Sequence, residues 1–169
     1  MDIAAADPRH IPVIRAITNE VWPSTYIPII GEAQVAYMLN LFYTPEALTQ
    51  QMTMAGHRFT IGYLEDRAVA FASFSALEPG IYKLHKLYIL PGMQGQGIGR
   101  AMADHIVAEI NKEQPHAELR LNVNIHNAQA IAFYNKYGFR HLRDEDIDIG
   151  GGYYMNDHVL YLQTGMAGI

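Results

Sequence analysis

Apolar residues recur at helical spacing through the first third of the chain. Asp7 followed by Pro8 has the sequence of a helix cap and a first-turn proline, so we predict an amphipathic first helix that ends at Trp22. A turn through Pro23 and Pro28 is predicted to follow it. The same spacing predicts a second helix over residues 35–42 and a short third one over residues 46–54. The apolar face of the first helix carries Val13, Ile14, Ile17 and Val21.

Beyond residue 57 the pattern changes to strands that alternate with two more helices. The segments that favour strands are residues 58–64, 68–77, 81–90, 119–123, 139–147 and 153–162. Hairpin turns are predicted at 65–67 and 150–152. One helix presents an apolar face through Ile98 to Ile110, and Asn127 caps another that ends before Gly138. The order predicts an α+β domain spanning residues 1–169, in which helices pack on a mixed sheet.

Composition narrows the functional classes. The chain has 169 residues, half of them hydrophobic, which is enough for one core. It has no cysteine, so disulfides and thiolate nucleophiles are excluded, and the histidines show no paired ligand spacing, so we expect no metal. A net charge of −5 argues against nucleic acid and is compatible with a cationic partner. Without a signal sequence or a long apolar run, we expect a cytoplasmic protein that does not enter membranes.

The segment with the clearest chemistry lies between a strand and a helix. It reads Gln94, Gly95, Gln96, Gly97, Ile98, Gly99 and Arg100. Glycines let the backbone approach an anion closely, and the unpaired amides of a first helical turn surround phosphate oxygens well. A flexible turn is the alternative interpretation. A P-loop is excluded because no Gly-Lys-Ser/Thr ending is present. A dinucleotide fold is disfavoured because three predicted helices and two strands precede the strand that leads into the loop.

Two motifs in the right order give the chain a resemblance to the GNAT superfamily of acetyltransferases. The glycine segment matches the Gln/Arg-x-x-Gly-x-Gly/Ala acetyl-CoA motif of that family, and the strand ending at Pro91 precedes it as expected. The second motif runs from Asn127 to Phe139 and includes Tyr134. The resemblance implies a mostly antiparallel sheet of roughly seven strands, splayed between the fourth and fifth strands, with a bulge in the fourth.

The resemblance also implies how acetyl-CoA binds as the acetyl donor. Main-chain groups around Leu87, Tyr88 and Ile89 would pair with the pantetheine arm, and the amides from Gly95 to Arg100 would hold the pyrophosphate. Gln94 belongs to the same motif. Asn127 would contact the cofactor as well as cap its helix.

Tyr134 matches the family tyrosine that protonates the departing thiolate, with packing in the core as the alternative role. The glutamate that often serves as base is missing. His85 is the leading candidate for it, because its intrinsic pKa is suitable and a regular strand would place it on one face with Lys83 and Leu87. A solvated strand histidine, Glu78 and ordered water remain open.

The acceptor is less defined. The layout of the chain resembles bacterial spermidine/spermine N-acetyltransferases, so a small primary amine is favoured. The acidic run at residues 144–148 would attract a cation or simply be solvated, and Trp22 and Tyr26 would line the acceptor pocket or belong to the core. The alternatives are a peptide N-terminal acetyltransferase and an acetyl-CoA sensor without activity. A homodimer is compatible with the resemblance, since GNAT proteins are frequently dimers.

Overall fold

The computed structural model describes residues 1–166. Seven strands and five α-helices follow one another along these residues: β1 (Asp2–Ala6), α1 (Ile11–Ile30), α2 (Glu32–Phe42), α3 (Pro45–Thr53), β2 (Arg58–Leu64), β3 (Arg67–Glu78), β4 (Ile81–Ile89), α4 (Ile98–Glu113), β5 (Glu118–Asn124), α5 (Ala128–Tyr137), β6 (Arg140–Gly150) and β7 (Tyr153–Gln163). Short 3₁₀ turns at Pro8–His10 and Thr164–Met166 complete the described elements.

The strands form one sheet in the order β1-β2-β3-β4-β5-β7-β6. Every neighbouring pair is antiparallel except β4 and β5, whose parallel pairing requires the crossover through α4. The predicted α+β class with a mixed, mostly antiparallel, seven-stranded sheet is therefore confirmed. Six strands were visible as patterns; β1 was not, because its sequence Asp-Ile-Ala-Ala-Ala has one β-branched residue, no aromatic residue and three alanines, which strands disfavour.

The prediction for the first helix is wrong at both ends. Asp7 caps the 3₁₀ turn that precedes α1, and α1 then continues through Pro23 and Pro28 to Ile30. Proline removes a backbone donor and normally interrupts a helix. Here the residues beyond Pro23 pack against the core, including Tyr26 and Ile27. The apolar area that they bury outweighs the local penalty, so tertiary packing keeps the segment helical.

The core lies on both sides of β3 and β4, which places these strands at the centre of the molecule. Val69 to Phe71 are fully buried in β3, and on α4 Met102, Ile106 and Ile110 are at most 1% exposed. Helix α4 and the strands it covers thus provide a rigid base for the loop at the helix N-terminus.

Candidate active site

The sheet opens between its two parallel strands. Ile81–Leu84 of β4 pair with Glu118–Leu121 of β5, and no further pairing joins these strands within residues 1–166. The rest of β4, to Ile89, remains bonded to β3 alone. The backbone groups of β4 that face β5 are therefore not paired with that strand along this stretch, and the Ile89 carbonyl accepts only a long bond from Gln94 Nε2 at 3.4 Å, so an extended molecule could pair with them.

A bulge in β4 accompanies the opening. Ser73 pairs with Lys86 but Phe74 pairs with Leu84, so His85 is an extra residue opposite β3. Because cross-strand partners share a face, Lys83 lies with Ser75, and Lys86 lies with Ser73 on that same face. Leu87 pairs with Ala72 and takes the opposite face. The expectation that His85 and Lys83 share a face with Leu87 is therefore wrong, since the bulge interrupts the alternation.

A cavity of about 480 Å³ occupies the opening. Most of the predicted cofactor residues line it, and so do both predicted catalytic residues: His85, Leu87, Tyr88, Ile89, Gln94, Gly95, Gly97, Ile98, Gly99, Arg100, Asn127 and Tyr134. Gln96 is exposed and is not among the lining residues. The cavity thus joins the glycine loop, the splayed part of β4 and one side of α5 into one site.

The glycine loop has the geometry of an anion site. Gly95 and Gly97 both have φ of +80°, and no atom within 4 Å would meet a Cβ on either of them. Gly97 is the N-cap of α4, and no side chain caps the helix there. The Gln94 side chain braces the loop by accepting from the Gly92 amide at 3.2 Å. The first-turn amides of a 16-residue helix therefore remain available, and they fit a diphosphate.

Asn127 and Tyr134 border the cavity from α5. The Asn127 side chain accepts a hydrogen bond from the Ala130 amide at 3.3 Å, as predicted for a cap. Tyr134 is 9% exposed and packs against Phe133 and Phe139. Burial raises the pKa of the Tyr134 phenol well above its ordinary value. The hydroxyl therefore stays protonated at neutral pH, as a proton donor must.

His85 is neither solvated nor freely basic. Its Nε2 atom lies 2.7 Å from Ser75 Oγ, and its ring stacks on His57 with centroids 3.8 Å apart. Burial, together with the neighbouring His57 and Lys83, lowers the pKa of His85 to about 3. Both imidazoles are neutral at physiological pH, because the pKa of His57 also falls, to about 4. Glu78 is exposed at the end of β3 and does not line the cavity.

The two aromatic residues considered for the acceptor pocket have different surroundings in the structure. Trp22 is 4% exposed and belongs to the core. Tyr26 lines the cavity, where its hydroxyl lies 3.4 Å from that of Tyr88. The rings of Trp22 and Tyr26 are in contact, with centroids 4.5 Å apart, so Trp22 supports the cavity wall from behind.

Sequence reasoning missed a buried acidic group beside the cavity. Asn122 lines the cavity and donates to Asp157 Oδ2 at 3.3 Å and to Glu145 Oε2 at 3.1 Å. Asp157 is 5% exposed, and burial raises the pKa of its carboxyl. The signal was present in the alternation of β7, where Asp157 falls in phase with the buried Val159. A carboxylate at a strand position where the alternation predicts a buried apolar side chain is a candidate functional group.

The carboxylates of the acidic run are exposed at positions 144, 146 and 148, as the solvated alternative predicts. None of the carboxylates at positions 144, 146 and 148 lines the cavity. Four histidines come together in pairs although their spacing in the sequence does not show it: His57 stacks on His85, and His141 and His158 both contact Asp144 Oδ1. No helix within residues 1–166 has the length and apolar character needed to cross a membrane.

Comparison with known proteins agrees with this geometry. A family model described as an acetyltransferase (GNAT) domain matches residues 27–151. The chain is 38% identical over 68 residues to the peptidyl-lysine N-acetyltransferase YjaB of Escherichia coli K12, which is 40% of this chain and 42% of that protein. It is 41% identical over 56 residues to the [ribosomal protein bS18]-alanine N-acetyltransferase of the same organism, 33% of this chain and 37% of that protein. The chain thus matches less than half the length of either relative.

Among solved structures, the PaiA N-acetyltransferase of Thermoplasma acidophilum in complex with coenzyme A superposes with a TM-score of 0.80. The sequence identity is 20%, and the match covers 96% of this chain and 99% of that one, so the fold is shared throughout. The family model, which covers well over half of the sequence, and the common fold lead to one assignment. The chain belongs to the GNAT acetyltransferase family.

Proposed function

We propose that the protein transfers the acetyl group of acetyl-CoA to a primary amine, by direct attack of the free amine on the thioester, and that residues 1–169 act as one domain. The observation that carries the proposal is the opening between β4 and β5, which connects an open glycine loop to a buried tyrosine. Splayed strands expose backbone groups to an amide-bearing arm, and the loop offers amides to a diphosphate. This combination matches the pantetheine arm and the diphosphate of coenzyme A.

The cofactor contacts follow from these two features. The main chain of Leu87, Tyr88 and Ile89 would accept the pantetheine arm as an additional strand, because β5 leaves that edge of β4 unpaired. The amides from Gly95 to Arg100 would hold the pyrophosphate. The thioester would then lie near the far end of the arm, between β4 and Tyr134.

The chemical step requires two proton movements. As the amine nitrogen bonds to the carbonyl carbon, negative charge develops on oxygen and then on sulfur as the C–S bond breaks. Tyr134 would protonate the departing thiolate, because its phenol is neutral beforehand and borders the cavity. The amine must lose a proton, and His85, which is neutral and lines the cavity, would accept it. Its pKa of about 3 makes it a weak base, so Asp157 is a second candidate.

We propose a small cationic amine, with polyamines as the leading specific class, as the acceptor. Asp157 supports this choice, because a buried carboxylate whose close hydrogen-bond partner is the Asn122 amide gains from a nearby ammonium group. The net charge of −5 would favour encounter with a polycation. The two Escherichia coli relatives carry names that refer to peptide or protein substrates, so an N-terminal or lysyl peptide is the competing acceptor.

The test is release of coenzyme A with spermidine, an arylalkylamine, an N-terminal alanyl peptide and a lysyl peptide, followed by mass spectrometry of the product. We expect the highest kcat/KM for spermidine, with a decrease as salt rises, because exposed charges are screened. Asp157→Asn should raise KM for spermidine more than for the arylalkylamine. Efficient turnover of a peptide but not of spermidine would overturn the acceptor. No release with any amine, although acetyl-CoA binds, would favour a sensor.

A further inference from the structure

Three metal-ligating side chains meet on the outer part of the sheet, away from the cavity. His141 Nε2 lies 2.7 Å from Asp144 Oδ1, and His158 Nδ1 lies 2.5 Å from the same oxygen. All three ligand atoms are within 4.8 Å of one another. They belong to β6, an edge strand, and to β7 beside it. None of the three lines the active-site cavity.

The arrangement depends on a second bulge. In a regular strand, residues three apart point to opposite faces, so His141 and Asp144 would be separated by the sheet. Here the register between β6 and β7 shifts after His141, which pairs with Leu160, while Asp144 pairs with His158. Leu160 and His158 are two residues apart and share a face, and their partners therefore share it too. The extra residue, Leu142, brings the second imidazole to the carboxylate.

Charges around the cluster favour a cation. Asp146 pairs with Asn156 and so lies on the same face as Asp144, one pleat further along the strand. Arg143 pairs with Val159 and takes the opposite face, where its guanidinium is bound to Glu145 at 2.8 Å. Arg140, which precedes His141, pairs with Tyr161 and takes that opposite face too, so both arginines next to the cluster in sequence are turned away from it.

We propose that His141, Asp144 and His158 bind one divalent ion of the borderline class, such as Zn²⁺, Ni²⁺ or Co²⁺. Two imidazole nitrogens and one carboxylate oxygen suit these metals, whereas Mg²⁺ and Ca²⁺ prefer an all-oxygen set. The ligand atoms need only separate slightly to surround an ion at ~2 Å from each. The side chains of His141 and Asp144 are 54% and 64% exposed, so water would complete the coordination. The proposed metal site does not depend on the proposed transferase activity.

The experiment uses the full chain without a histidine tag. Isothermal titration with ZnCl₂, NiCl₂ and CoCl₂ should give one ion per chain, and Co²⁺ should add a visible absorption band. Asp144→Ala and His158→Ala should each weaken binding at least tenfold, since each removes one of three ligands. His105→Ala is the matched control, because His105 lies on α4 outside the cluster and should leave the affinity unchanged.

Circular dichroism of each variant verifies folding, and acetyl-CoA binding provides an independent sign of an intact domain. Excess Mg²⁺ should not displace the ion. The proposal is overturned if the unaltered protein shows no saturable binding at millimolar metal, which would leave a hydrogen-bonded surface cluster only. It is equally overturned if folded Asp144→Ala and His158→Ala keep the affinity of the unaltered chain.

Discussion

Replacing Gly97 by leucine separates the role of the loop in cofactor binding from its role in folding. Gly97 has φ of +80° and open space around its missing Cβ, so the folded state suffers backbone strain without a clash. An L-residue in this conformation costs about 1–2 kcal/mol. For a domain of this size that corresponds to a Tm lower by roughly 2–8 °C, and a stability of about 5–15 kcal/mol survives it.

The affinity for acetyl-CoA should fall for a different reason. The leucine side chain would stand where the glycine loop leaves room for the diphosphate, so we expect the affinity for acetyl-CoA to fall at least tenfold, or about 1.4 kcal/mol. Gly80→Leu is the matched control. Gly80 has the same φ of +80° and the same open surroundings, but it lies in the β3–β4 hairpin and does not line the cavity. Its variant should show the same loss of Tm and an affinity within twofold of the unaltered protein.

Calorimetry with acetyl-CoA measures the affinity of both variants, and thermal unfolding measures their loss of stability. Equal affinity losses in the two variants would mean that strain propagates through the domain and that the loop has no special contact. Unchanged affinity in a folded Gly97→Leu variant would refute the pyrophosphate assignment altogether.

Two further predictions concern ionisable groups on the cavity wall. Tyr134→Phe should lower kcat about a hundredfold with little change in acetyl-CoA affinity, because it removes one proton donor; single-turnover kinetics that leave the chemical step unaltered would assign Tyr134 to packing. Burial lowers the pKa of Lys86 from 10.5 to about 8. Between pH 8 and 10.5 the lysine therefore binds a proton in the unfolded state but not in the folded state. The free energy of unfolding should rise by about 3 kcal/mol over this range. Urea unfolding of Lys86→Met across this range should lack that rise, and an identical pH dependence in both proteins would show that Lys86 is not the group responsible.

The sequence was a good guide wherever a local pattern determines structure. The glycine spacing from Gly95 to Gly99 and the cap at Asn127 identified the loop and α5 because turns and caps depend on residue type. Apolar periodicity located α4 for the same reason. These elements also carry the motifs that indicated the family, so most of the residues that line this side of the cavity could be predicted from the sequence.

Long-range pairing determines what the sequence could not reveal. Pro23 suggested a turn, yet contacts made by Tyr26 with the core hold α1 together beyond it. The environment of Asp157 depends on β5 and β6, which pair with β7 from opposite sides. The alternation of β7 indicates that Asp157 is buried, but no local pattern identifies Asn122 as its hydrogen-bond partner.

The bulge at His85 changes which residues of β4 lie on the same face of the sheet as Lys83. Upstream of it, odd-numbered residues of β4 share the face of Lys83; downstream, the even-numbered residues Lys86 and Tyr88 take over that face. If the strand were regular and His85 paired with Ser73, Lys86 and Tyr88 would move to the opposite face; deleting His85 would instead leave each of its neighbours opposite its present partner. A one-residue deletion at this position can therefore be accommodated without turning the cavity wall, whereas in a regular strand the same deletion would turn every residue beyond it to the other face.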